Sequence, residues 1–291
     1  MIDAFRDRHP GPLAAASIGY AGAVVEGRGA GTNVPWPLDS ESLAKHLALP
    51  RVSLLNDMVA MAHGIPALAP EDLEALAPGL PAPDGNAAII AAGTGLGETI
   101  LARVGADRVP IASEGGHADF APRTDQELEV FRALRARFGR VSCEHVLSGP
   151  GLVNVAETIH RFAAASDRAA WAEHAAIPPD ALPNLISRNA LAGECGACGR
   201  ALDCFVGIYG AEAGNLALRA LARGGIYLGG GIAPRILPAL KGEAFLRAFR
   251  SKEPLQALLS SIPVWVIRNE RVALLGAARF ATLVAGGGAP V

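Results

Sequence analysis

The chain has 291 residues, 51% of them apolar, with 26 Lys plus Arg against 28 Asp plus Glu and a formal net charge of −2. That length and apolar content support one large packed domain or two modest ones and exclude extended disorder. The near-neutral balance excludes an electrostatic nucleic-acid binder, which carries a basic surplus. Lys45, Lys241 and Lys252 are the only lysines, so phosphate chemistry must lean on backbone N–H groups, Arg or a metal. Four cysteines, Cys143, Cys195, Cys198 and Cys204, make no dense disulfide framework in a chain this long and fit a reducing cytoplasm. The uncharged run 11–25 lacks a leucine block and follows Asp3 and Asp7, which speaks against a secretory signal. No uncharged apolar run reaches the roughly 20 residues that would span a bilayer.

In chain order, Met1 to His9 has apolar side chains at Ile2, Ala4 and Phe5 with no N-cap ahead of them, which reads as a chain beginning inside a helix. Residues 13–25 read as one or two strands, and Gly27, Gly29 and Gly31 as a turn into Thr32-Asn33-Val34-Pro35-Trp36. A short helix is expected over 39–49 with Ser40 as its cap, then a strand over 51–55 ending on Asn56-Asp57, then a helix from Met58. Pro66, Pro70, Pro78, Pro81 and Pro83 exclude a long helix or central strand and predict a loop-rich connection. Strands over 86–92 and 98–104 flank the turn Gly93-Thr94-Gly95-Leu96-Gly97 and predict a hairpin. A strong helix follows over 126–138, with Gly139 as C-cap. Further helices are expected over 151–164, 185–191, 199–223 and 242–250, and a last one over 272–283. Strands over 225–228 and 263–268 complete the list, with Pro234 opening a helical segment after Gly229-Gly230-Gly231. Strands alternating with helices, without heptads or short repeats, define an α/β class.

Several of these segments have residues suited to chemistry, each beside a plainer reading. The Gly93 to Gly97 turn lets backbone N–H groups approach phosphate oxygens, or is simply a tight hairpin. It is neither a Walker loop nor a dinucleotide fingerprint, because no Lys-Ser/Thr pair follows and Glu98 stands where a third glycine would. Glu114-Gly115-Gly116-His117-Ala118-Asp119 is a polar ligand site, a solvated loop, or through His117 and Asp119 a metal pair. Asp57 is an N-cap or a general base, and Glu144 alone reads as a helix-start carboxylate. Cys195-x-x-Cys198 with Cys204 has no fourth ligand at finger spacing, so free thiols are preferred over zinc. Gly229-Gly230-Gly231, after a strand and before a helix, suits a phosphate or ribose, or is a plain loop.

Six pieces in order resemble the bacterial ATP-dependent glucokinases: Thr32-Asn33-x-x-Trp36, Leu55-Asn56-Asp57, Gly93 to Gly97, Glu114-Gly115-Gly116-His117-x-Asp119-Phe120-Ala121-Pro122, Leu147-Ser148-Gly149-Pro150-Gly151-Leu152, and Gly229-Gly230-Gly231-Ile232-x-Pro234-Arg235. The resemblance implies the actin-like, ribonuclease H-like ATPase fold, with two α/β domains and a cleft between them. A small domain is expected over 1–66 and 272–291 and a large one over 67–271. It further implies transfer of the ATP γ-phosphoryl group to the 6-hydroxyl of glucose or a close hexose. Asp57 would be the general base, and Asn56, Glu114, His117 and Glu144 would hold the other hydroxyls. Gly93, Thr94, Gly95 and Gly97 would contact phosphate, Gly229, Gly230 and Gly231 the nucleotide, with Mg²⁺ carried by ATP and no protein-held metal. The resemblance also admits a homodimer, while the expected cytoplasmic location and the exclusion of nucleic acid and membrane as partners rest on the cysteines, the charge balance and the lack of an apolar span. The family's Asp-x-Gly-Gly-Thr-Asn phosphate motif is absent, because Gly31-Thr32-Asn33 belongs to the sugar-domain motif. An incomplete N-terminal domain is therefore expected, through a start at an internal Met1 or a lost phosphate loop. The alternative reading is a hexose-binding relative with weak or no catalysis. A DNA-binding regulator of related fold is disfavoured by the charge and by the lack of room for a helix-turn-helix upstream.

Overall fold

The structure is a computed structural model and describes residues 8, 11–30, 36–80, 82–161 and 177–287. Apart from Arg8, the helix read into Met1 to His9 lies outside these residues, as do Thr32 and Asn33 of the first motif. The chain divides into two compact units, Met1–Leu68 with Arg271–Val291, and Ala69–Glu270.

In the first unit the strands are β1 (Ala16–Tyr20), β2 (Ala23–Val25), β3 (Arg28–Ala30), β4 (Leu38–Asp39) and β5 (Val52–Asn56). Between β4 and β5 runs helix α1 (Ser40–Leu47), and α2 (Asp57–Gly64) follows β5. β1 and β5 pair in parallel from Ala16 opposite Val52 to Tyr20 opposite Asn56, while β2, β3 and β4 form an antiparallel sheet. The glycine-rich stretch expected to be a turn thus contains β3. Among the described residues of this stretch Glu26 and Gly27 make the turn, both at positive φ (51° and 73°), as a two-residue hairpin loop requires. Gly29 stays in the strand because the Tyr20 ring packs against it, leaving no room for a side chain. The cap of α1 is Asp39 rather than Ser40: in extended backbone its carboxylate accepts the Ser42 N–H at 2.8 Å, and Ser40 is already helical.

The second unit is built on β6 (Leu73–Ala77), β7 (Ala87–Ala92), β8 (Leu96–Val104) and β9 (Asp107–Ser113), then helices α3 (Asp125–Phe138), α4 (Gly149–Arg161), α5 (Leu182–Ala192) and α6 (Gly196–Ala220). After these come β10 (Gly225–Gly229), the short helices α7 (Ile232–Arg235), α8 (Leu237–Leu240), α9 (Glu243–Arg250) and α10 (Gln256–Ser261), and β11 (Val264–Ile267). The six strands lie in the order β6-β11-β10-β7-β8-β9. β7, β8 and β9 form an antiparallel meander, and β10 and β11 continue parallel to β7. A meander extended by parallel strands is the ribonuclease H-like arrangement. β6 adds an antiparallel edge, so the proline-rich connection expected to be loop contains a strand. An edge place tolerates what a central place does not, since flanking prolines cost no ladder bond there. Pro234 sits inside α7 rather than opening it.

β7 is buried along its whole length, and α6 packs over it with the Tyr209 hydroxyl donating to the Ile90 carbonyl at 3.2 Å. Around them Phe205, Phe245, Phe249 and Leu228 form the main core. At the start of α6 the Cys195 sulfur accepts the Cys198 N–H, and the two cysteines form a disulfide. The expectation of free thiols is corrected for this pair: one helical turn brings their Cα atoms to 5.1 Å, inside bridging range. Cys143 and Cys204 are free and buried.

The first unit is completed by α11 (Val272–Ala285), which crosses α2 at glycines. A methyl group at Gly276 would overlap the Ala60 carbonyl oxygen and stand 2.5 Å from the Gly64 N, and one at Gly64 would overlap the Val272 carbonyl. Backbone therefore meets backbone with no slack. Gly276→Ala is expected to destabilise the protein by about 1–3 kcal/mol, measured as a lower urea midpoint. An unchanged midpoint would show that the helices part without cost.

Candidate active site

In the first unit, Asn56 ends β5 and caps α2. Its Oδ1 accepts the N–H groups of Met58 at 2.9 Å and Val59 at 3.3 Å, and its Nδ2 donates to the Gly22 carbonyl at 3.0 Å. The cap role is thereby taken by Asn56, and Asp57 becomes the first helical residue. The Asp57 Oδ1 accepts the Met58 N–H at 2.9 Å. Its side chain is open to solvent at the surface, yet enough protein surrounds the carboxylate that lost hydration outweighs the backbone donors of Met58 and Asp57 and raises its pKa. A carboxylate so placed, beyond the carboxyl end of a parallel strand, can accept a proton more readily than a fully hydrated one.

In the second unit, both glycine turns lie at the same end of the sheet, because β7 and β10 are parallel neighbours with Ala91 opposite Gly229. Gly93 donates to the Gly95 carbonyl at 2.9 Å, and the Gly149 N–H at the start of α4 donates to the Gly93 carbonyl at 2.7 Å. Gly230 has φ +77°, and a methyl there would overlap the Ala92 carbonyl oxygen, so glycine is required both by conformation and by the approach of the neighbouring strand. Thr94 and Gly231 are exposed at the tips of the two turns.

Glu114-Gly115-Gly116-His117 folds as a single 3₁₀ turn after β9. Gly116 is buried because its backbone lies against the Leu96 carbonyl, while Glu114 and His117 are exposed. Asp119 pairs with Arg140, Nε to Oδ1 at 2.7 Å, and Arg140 also donates to the His117 carbonyl. Asp119 thus fastens the loop. Glu144 does not start a helix. It sits in a turn ahead of α4, with its N–H donating to the Gly116 carbonyl at 2.9 Å and its Oε1 4.0 Å from His117 Nδ1. The Ser148 hydroxyl donates to the Glu144 carbonyl at 2.7 Å and accepts the Gly151 N–H at 2.9 Å, joining this turn to the helix.

The structure therefore brings His117, Glu144 and the Gly93 to Gly97 turn together, sets Gly229 to Gly231 beside that turn, and carries Asn56 with Asp57 on the other unit. Sequence reasoning assigned no role to Ser148, Gly149 or Arg140. The Ser148-Gly149-Pro150-Gly151 run was the available signal, since a serine before glycines at a helix start is a capping pattern. It also passed over Glu98, which lies beneath the site with 1% of its surface exposed.

A ribonuclease H-like sheet whose parallel strands end in glycine turns, with carboxylates and a histidine gathered beside one of them, is the arrangement of an ATP-dependent sugar kinase. A family model described as Glucokinase matches residues 1–284. The glucokinase of Nostoc sp. is 40% identical over 277 residues, covering 90% of this chain and 80% of its own length. The crystal structure of a glucokinase from an Antarctic psychrotroph is 29% identical and superposes with a TM-score of 0.81 over 97% of this chain and 84% of that one. A glucokinase from Balamuthia mandrillaris in complex with glucose, 20% identical, shares the fold with a TM-score of 0.79 over 96% of this chain and 81% of its own. The chain belongs to the glucokinase family. Among the described residues, no helix is long and apolar enough to cross a membrane.

Proposed function

We propose that this chain transfers the γ-phosphoryl group of ATP to the 6-hydroxyl of glucose with Asp57 as general base. The observation that carries the assignment is the Asp57 carboxylate: held through one oxygen by the Met58 N–H, raised in pKa, and placed where a parallel strand gives way to a helix. Asp57 takes the O6 proton as O6 bonds to the γ-phosphorus and the bond to the β-γ bridging oxygen breaks, releasing ADP. MgATP is the substrate, its Mg²⁺ offsetting charge on the phosphates. Glu114, His117 and Glu144 hold the remaining sugar hydroxyls, the mixture of acceptors and donors a hexose needs. Asn56 acts chiefly by fixing Asp57, and keeps one Nδ2 hydrogen for a sugar oxygen. The backbone N–H groups of the Gly93 to Gly97 turn other than those of Gly93 and Leu96, which bond Gly95 and Glu144, face the phosphates and Gly229 to Gly231 the nucleotide, a division of labour that suits a chain poor in lysine. We place this activity in the cytoplasm, where MgATP is abundant, with pairing of two chains as the expected assembly.

The test is glucose-dependent ADP formation from MgATP by this chain. The expected result is one glucose 6-phosphate per ADP. Glucose binding without ADP formation would instead make the chain a non-catalytic hexose binder.

A further inference from the structure

We propose that Glu144 is a positioning residue for the phosphate-contacting turn as well as a sugar ligand, so that glucose and ATP bind with positive coupling through its carboxylate. The inference rests on the sugar and phosphate roles proposed above and concerns how they communicate. The two oxygens of this one side chain face different partners. Oε2 accepts the Leu96 N–H of the turn at 2.9 Å, while Oε1 stands 4.0 Å from His117 Nδ1 on the sugar loop. The main chain of Glu144 is fixed as well, its N–H on the Gly116 carbonyl and its carbonyl on the Ser148 hydroxyl, each within 2.9 Å.

The surroundings leave the carboxylate little freedom. A methyl group at Gly95 would stand 2.5 Å from Oε2, and one at Gly116 would overlap the Leu96 carbonyl oxygen. The turn and the sugar loop are thus in direct backbone contact across Leu96 and Gly116, and Glu144 bonds to both, through its N–H on the Gly116 carbonyl and its Oε2 on the Leu96 N–H. Gly149 holds the other end of the turn through Gly93. Swinging the carboxylate away from Leu96 releases a backbone N–H of the turn. A sugar hydroxyl donating to Oε1 favours the orientation that keeps Oε2 on Leu96, and so favours the turn geometry that meets the phosphates. Coupling of this kind is reciprocal, because both ligands prefer the same arrangement of one group.

The experiment measures the affinity of a non-hydrolysable MgATP analogue by calorimetry with and without saturating glucose, and the converse. For the native chain we expect each ligand to tighten the other about tenfold, the middle of the usual range for coupled sites. Gly95→Ala, which adds a methyl group against Oε2 in a turn that touches no sugar, should raise the glucose Kd by a similar factor and abolish the coupling. Glu144→Gln should also weaken the coupling, since an amide oxygen kept on the Leu96 N–H leaves an NH2 donor where the sugar hydroxyl donates to Oε1. Gly199→Ala on α6, whose methyl group meets nothing within 4 Å and which belongs to neither the sugar nor the phosphate residues, is the control and should keep the coupling. Thermal melts establish that each variant is folded. If Gly95→Ala weakens only the nucleotide, or the native chain binds the two ligands independently while still phosphorylating glucose, the coupling role is wrong. Absence of glucose binding by the native chain would instead overturn the underlying assignment of the sugar site.

Discussion

Asp57→Asn is expected to lower the rate of ADP formation at least about a hundredfold, the usual contribution of a general base, while glucose binding changes by no more than a few-fold. The amide keeps an oxygen for the Met58 N–H, and the cap on α2 belongs to Asn56, so the helix start survives the exchange. What disappears is an acceptor for the O6 proton. The same carboxylate sets the acid side of the pH profile. Its pKa is raised because lost hydration outweighs the two backbone donors. Below that raised pKa it is protonated and cannot act, so activity falls as pH drops, starting at a higher pH than an ordinary aspartate would give. The readout is kcat/KM against pH for native and variant chains beside a glucose titration of each. Normal turnover by Asp57→Asn would remove the residue from the role of base.

Glu98→Gln is expected to stabilise the protein above pH 7 and to leave it little changed below pH 5. Glu98 lies on β8 directly after the phosphate-contacting turn, 1% exposed, with its Oε1 lacking a hydrogen-bond partner and its Oε2 3.6 Å from Arg219. Burial first, and the nearby Glu212 charge second, push its pKa up from 4.5 to about 7 against the opposing pull of Arg219. Between those values the native state holds a proton that the unfolded chain has released, so stability falls as pH rises through this window. The shift corresponds to about 3 kcal/mol lost by pH 8. A glutamine of the same shape does not ionise, and Arg219 retains Glu212. Urea midpoints at pH 5 and pH 8 test this, and an identical pH slope in the variant would show that Glu98 ionises freely. The consequence reaches the site, because the Glu98 carboxylate crowds the Gly115 backbone of the sugar loop.

Much of the fold was legible because its elements are local. The long apolar periodicities behind α3 and α6, and the Gly139 cap, owe nothing to distant residues. The hairpin of β7 and β8 was legible from its glycine turn for the same reason. β3 and β6 were missed, since Arg28-Gly29-Ala30 and Leu73 to Ala77 carry weak strand preference and are strands only through the partners that claim them. β9 and α10 were missed likewise. Cys195 and Cys198 are a bonded pair because a helix start folds them together.

The sequence by itself determined the α/β class, the residues suited to sugar and phosphate, and the resemblance to the glucokinase family, because motif chemistry and short-range periodicity are written in consecutive residues. Only the tertiary structure decided that Asn56 caps the helix and frees Asp57, that Glu144 answers to both the sugar loop and the phosphate-contacting turn, and that Glu98 is a buried acid beneath them. The last two depend on groups far apart in the chain, whose hydration and hydrogen-bond partners exist only once the strands have paired, and the Asn56 cap, local in its bonds to Met58 and Val59, is oriented by the distant Gly22 carbonyl.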